Sequence, residues 1–269
     1  MPVAQVQDRI GGVWKQISFG VVSYMKTPRL RALLTLYMAV ACASAMVIVN
    51  TVVYVKDLMN GTDTQVAMAF AAAGFGSMIA ALSVPRLLDK VPDRPVMLIG
   101  ATCMGIGVLA IASNPGLSAM LPVWMLIGLG WSLVQTPSGR IVNRSASAND
   151  RSAYFSAQFA LSHVAWLIAY PIAGQLGASL GLLTTAWIMG GAILFFTLLA
   201  GLFWPKQDEV ELPHTHTPEN HQHSHSHGPH HDHDHEGDYG PEPHTHEHLH
   251  TPIQHKHVYV IDEHHMQWP

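Results

Sequence analysis

The chain reads as an all-α membrane protein, six transmembrane helices followed by a disordered, histidine-rich tail. Three observations lead there. Only 12% of its 269 residues are charged, against roughly 25% in a soluble globular domain. Those few charges fall between long apolar stretches, not within them. Eighteen of the nineteen histidines follow Pro213, mostly at alternate positions.

Residues 1–32 form a basic N-terminal segment carrying Arg9, Lys15, Lys26, Arg29 and Arg31. It is not a signal peptide, because the first long apolar stretch begins near Ala32 and no small-residue cleavage site closes a short apolar core. A helix needs about 20 apolar residues to cross a hydrocarbon layer of about 30 Å. Six stretches meet that length within residues 33–205: 33–55, 64–84, 95–113, 119–138, 153–177 and 183–204, none containing Asp, Glu, Lys or Arg. Between Arg151 and Lys206 lie 54 residues without a formal charge, a density foreign to soluble helices. The Gly and Pro there, such as Pro171 and Gly174, are tolerated in membranes, where neighbouring helices re-satisfy the backbone. Ala71-Ala-Ala-Gly-Phe-Gly76, Gly100, Gly105-Ile-Gly107 and Gly128-Leu-Gly130 supply the small residues that let membrane helices approach closely.

Basic residues set the orientation. With the N-terminus cytoplasmic, thirteen Lys and Arg fall inside and only Lys56 outside. Both termini, and with them the tail, are expected in the cytoplasm of a bacterial-type inner or plasma membrane. The overall charge of −4 hides a division: 12 basic and 6 acidic residues up to Pro205, then 2 basic and 12 acidic. Cys42 and Cys103 both sit in apolar stretches, so a disulfide or zinc–thiolate framework is not expected. No nucleic-acid partner is expected either.

The tail, residues 206–269, reads as a surface for divalent metal (Ni, Co or Zn), with no tightly bound cofactor elsewhere. Neutral imidazole is a common ligand of borderline ions, and His-x-His puts alternate rings on one side of an extended chain. The candidate ligands are His214, His216, His221, His223, His225, His227, His230, His231, His233, His235, His244, His246, His248, His250, His255 and His257. Asp232, Asp234, Glu236, Glu242 and Glu247 add oxygen ligands and a field that attracts cations. Affinity should fall below about pH 6.5, where free imidazole takes up a proton. Pro, Gly, Ser and Thr keep the segment from packing, while His257-Val-Tyr-Val-Ile-Asp262 alternates like a strand.

The order of elements resembles the C-terminal half of a major facilitator transporter. Residues 1–32 are similar to the end of that family's central loop, and Lys26-Thr-Pro-Arg-Leu-Arg-Ala-Leu-Leu34 is similar to the start of its seventh helix. Pro85-Arg-Leu-Leu-Asp-Lys-Val-Pro-Asp-Arg94 resembles the family's loop motif Gly-x-x-x-Asp-Arg-x-Gly-Arg-Arg. The resemblance assigns Arg86, Asp89, Lys90 and Arg94 to that motif. Pro85 and Pro92 replace its glycines, and Asp93 replaces a basic residue. Among major facilitators, those with histidine-rich C-termini resemble nickel- and cobalt-resistance exporters. The family pairs two six-helix halves around a central cavity. One half implies a truncated gene product, a second polypeptide supplying the other half, or two paired copies.

Polar groups inside spans are functional candidates by default. His163 is the only histidine within one, and Ser156 and Tyr170, seven residues either side, share its helix face. Gln158 and Gln135 join His163 and Tyr170 as candidates for a transport cavity. Met38, Met46 and Met104 are read as packing. Moving a bare divalent ion through apolar surroundings needs carboxylates or several imidazoles, and the spans offer one histidine and no acid. The metal must therefore meet acids from a missing half or travel as a neutral complex, unless transport has been lost. No catalytic constellation appears. The leading expectation is an exporter of nickel or cobalt; the others are a membrane-anchored metal buffer and a facilitator of an organic solute with an incidental tail.

Overall fold

The computed structural model describes residues 12–205 and, beyond them, 211–215, 219–225, 244–250, 254–258, 260–261 and 268. The chain divides into two compact units: Met1–Asp208 with Val260–Trp268, and Glu209–Tyr259.

In the first unit, α1 (Gly12–Lys26) is followed by α2 (Pro28–Ile48), with Pro28 at a first-turn position where its missing N–H costs nothing. The short α3 (Thr51–Val53) and a π-helical turn (Tyr54–Leu58) prolong α2 into one span, Pro28–Leu58. Then come α4 (Asp63–Leu88), α5 (Asp93–Ile111), α6 (Leu117–Arg144), α7 (Arg151–Leu180) and α8 (Leu182–Phe203). Six helices, one in each of the six stretches read from the sequence, are long and apolar enough to cross a membrane. Most overrun those stretches by a few residues because a helix continues past its hydrocarbon-facing part to its polar cap, while α5 and α8 stop one or two residues short of theirs. At the start of α4 that cap is a reciprocal pair. Gln65 N–H donates to Thr62 Oγ1 (3.3 Å) and Thr62 N–H donates to Gln65 Oε1 (2.9 Å). α7 and α8 are separated by Gly181 alone, whose φ of 80° lies in the region that glycine adopts without strain.

Packing follows the small residues. α6 lies against α4 and α5, and α2 against α7 and α8. At the α4–α6 crossing a Cβ on Gly128 would overlap the carbonyl of Ala73, and one on Gly76 would overlap that of Met125. The backbones touch because neither position has a side chain. Large apolar residues are exposed around the outside, Leu167 at 74% for example. In water that would be a liability; against acyl chains it is the expected surface.

The C-terminal stretch of this unit folds back onto its helices. Ile261 is buried (2% exposed), its carbonyl accepts a hydrogen bond from Tyr154 Oη at 2.9 Å, and the Arg29 guanidinium lies 5.1 Å from the centre of the Trp268 ring.

In the second unit β1 (Glu211–Thr215) pairs antiparallel with β4 (Gln254–Val258), and β2 (Glu219–His225) with β3 (His244–His250). Alternating His-x-His suits such extended chain, and β4 overlaps the start of the stretch that alternates like a strand. The sequence led to the expectation of a disordered tail; two-stranded ribbons bury little and are marginal in water by themselves. Of the candidate ligands, His216, His227, His230, His231, His233 and His235 lie outside the described residues.

Candidate functional site

α2, α6 and α7 surround a cavity of about 620 Å³. α2 contributes Tyr37, and α6 contributes Gln135, Ser138, Gly139 and Val142. α7 contributes the longest wall: Phe155, Ser156, Gln158, Phe159, Ser162, His163 and Trp166. Those seven recur at helical three- and four-residue spacing, so one face of α7 lines the site. The lining contains no Asp, Glu, Lys or Arg.

His163 is held by its own helix. Its Nδ1 lies 2.7 Å from the carbonyl oxygen of Phe159. A carbonyl only accepts, so Nδ1 is the donor in this contact. Phe159 stacks at 3.8 Å between ring centres, and Trp166 meets the imidazole edge-on at 4.8 Å. The ring is exposed in the chain as described.

Gln158 is oriented from outside the spans. The hydroxyl of Tyr24, on α1, donates to Gln158 Oε1. Burial pushes the Tyr24 phenol well above its usual pKa, and Tyr37 nearby adds to the shift, so this donor keeps its proton. With Oε1 so engaged, Gln158 turns its amide nitrogen the other way. Gln158 Nε2 and Trp166 Nε1 are both buried and have no hydrogen-bond partner among the described residues. An unmet buried donor costs about 1–3 kcal/mol, so an oxygen atom presented by a ligand here would be strongly rewarded. On the opposite wall the two hydroxyls are engaged: Tyr37 Oη donates to Ser138 Oγ (3.0 Å), and Ser138 Oγ donates to the Gln135 carbonyl (2.6 Å).

Three of the four cavity candidates named from the sequence, His163, Gln158 and Gln135, therefore come together. Tyr170 does not join them. Its hydroxyl donates to Ser44 Oγ on α2 at 3.4 Å, outside the lining. Tyr170 lies on the same face but about 6 Å further along the helix axis than Trp166, at about 1.5 Å of rise per residue, so it sits past the end of the lining. Sequence reasoning missed Tyr37, Ser138, Phe155, Phe159 and Trp166. Tyr37 and Ser138 lie on other helices, and Phe155, Phe159 and Trp166 are ordinary membrane-helix residues, so none carried a local signal. Among the described residues no three His, Cys, Asp or Glu gather to hold a metal ion.

A second polar cluster lies where α4 ends and α5 begins. Asp93, in the first turn of α5, is only 3% exposed. Its carboxylate is 3.6 Å from Arg140 Nε and 3.5 Å from Arg144 Nη2, both in the last turns of α6. Arg140 Nη1 also donates to the Leu88 carbonyl (3.4 Å) at the end of α4, and Arg94 Nη2 to the Gly201 carbonyl (3.0 Å) near the end of α8. Each charge thus meets a helix end of opposite polarity, acid at an N-terminus and base at C-termini. The motif residues Arg86, Asp89 and Lys90 are exposed. The buried acid of this loop is Asp93, one of the positions where the sequence departs from the family pattern.

Comparison with curated proteins finds no match. The sequence profile of the Major Facilitator Superfamily matches residues 33–253, from the first span through the sixth and into the tail. The chain therefore belongs to the Major Facilitator Superfamily, and its six spans make up half of that fold.

Proposed function

We propose that this chain is one half of a secondary transporter that exports divalent metal, nickel or cobalt first, with its histidine-rich segment in the cytoplasm capturing the ion. Rocking against a second six-helix unit, or a second copy, alternates access to the cavity between α2, α6 and α7. The observation that carries the reading is His163, an imidazole fixed by its own backbone, in a wall that otherwise holds mostly amides, hydroxyls and aromatic rings. That wall has no carboxylate, and a bare divalent ion would lose more hydration than it regains. The cargo is accordingly a complex whose own ligands neutralise the metal, or an ion met by acids of the second unit. Captured metal reaches the cavity by exchange from the tail.

The neutral, aromatic lining supports a second reading, a facilitator of a small organic solute beside which the tail is incidental. Accumulation of ⁶³Ni²⁺ in cells lacking other nickel exporters separates them. Cells expressing the chain with its partner half should hold severalfold less nickel. His163→Phe should restore accumulation without altering the amount of protein in the membrane, and deletion of residues 209–259 should raise it at low external nickel. Unchanged nickel in all three strains refutes export of this metal.

A further inference from the structure

The histidine runs carry a pattern that shows only when the strands are paired. His221 faces His248, His223 faces His246, His225 faces His244, and Glu219 faces His250. Successive strand residues alternate between faces, and residues opposite one another share a face. All seven histidines of the β2–β3 ribbon therefore fall on one face. The other face carries Asn220, Gln222 and Ser224 opposite Leu249, Glu247 and Thr245, with no histidine. The β1–β4 ribbon repeats the segregation: His214 faces His255 and Leu212 faces His257, which puts its three histidines on one face as well. Alternation within each run is not enough for this. The two runs must also meet in the right register, since a slip of one residue would put the histidines of the two strands on opposite faces.

We infer that the β2–β3 ribbon is a divalent-metal site, its pairing placing seven histidines on one face. This rests on the metal-capturing tail proposed above and gives it a structure. Facing Cβ atoms of a ribbon are about 4.5–5.5 Å apart, and the next pair on the same face lies about 6.6 Å along the strand. The ligand class is a borderline ion, Ni²⁺, Co²⁺ or Zn²⁺. A bare two-stranded ribbon is marginal, so the ion fixes the pairing as it binds, and binding and folding are one event.

The test is a neighbour swap in the full-length chain in detergent. His244→Thr with Thr245→His, His246→Glu with Glu247→His, and His248→Leu with Leu249→His keep composition, charge and alternate spacing. Three histidines move to the other face. Calorimetric titration with Ni²⁺ should show the swapped chain losing at least one high-affinity ion, with that binding weakened tenfold or more. Co²⁺ absorption should change from an intense four-coordinate spectrum to a pale six-coordinate one. Identical isotherms and spectra for both chains overturn the ribbon and leave a metal-binding tail without defined geometry. An unswapped chain that takes up no Ni²⁺ sinks both this inference and the metal-capturing role of the tail.

Discussion

Asp93 is a single carboxylate that joins three helix ends. It sits in the first turn of α5, faces two arginines from the end of α6, and one of those also reaches the last carbonyls of α4. Removing one partner from a fully buried pair costs about 3–5 kcal/mol. Arg140 is half exposed, which screens its share. Asp93→Ala should therefore destabilise the purified chain by about 2–3 kcal/mol in denaturant titration, and Asp89→Ala, at an exposed position, by under about 0.5 kcal/mol. Equal losses would mean that the cluster does not hold the helix ends together. This residue was not legible beforehand. Aligning the loop with the family motif drew attention to Asp89 and Lys90, whereas burial depends on where α5 begins, a matter of helix phase. His163, Gln158 and Gln135 were legible because a polar side chain in an apolar span needs a reason to be there. Phe155, Phe159 and Trp166 line the same cavity but are chemically ordinary for a membrane helix, so nothing marked them.

At the scale of helices, hydropathy located all six spans, since the absence of charge over about 20 residues is a constraint imposed by the bilayer and not by the fold. It said nothing of α1, whose Tyr24 orients Gln158 across 134 positions of sequence. Long-range partners of this kind leave no local periodicity. The glycines were legible as packing residues but not individually. Gly128 and Gly76 sit at backbone contact, whereas Gly74 has nothing within 4 Å of a would-be Cβ. Gly128→Ala should destabilise by about 1–3 kcal/mol as α4 and α6 are forced apart. Gly74→Ala should be neutral or stabilising by up to about 1 kcal/mol through helix propensity. Thermal unfolding of the two variants in the same detergent checks the contrast, and matching midpoints would refute the close approach.

Over the whole molecule the division between a basic body with uncharged spans and an acidic, histidine-rich segment was plain in the sequence. The pairing of that segment was not, because register depends on two runs finding each other over the intervening residues. If its imidazoles are the ligands, protons compete for the same nitrogens. Affinity should be full where the rings are neutral and be lost as pH falls through about 6.5. With at least two imidazoles per ion, calorimetry at pH 5.5 should give Ni²⁺ binding roughly a hundredfold weaker than at pH 7.5. Binding insensitive to pH over that range would assign the metal to the carboxylates instead.

The hydrogen bond from Tyr154 to Ile261 alters what kind of object the histidine-bearing stretch is. Leaving the helical unit after Asp208 and rejoining it at Val260, it is a closed circuit and not a dangling end. Loop closure is the main entropic charge against a long hairpin, growing with the logarithm of its length. Both flanks of the stretch belong to the helical unit, so closing its ribbons costs less chain entropy than the same pairing would in a free end.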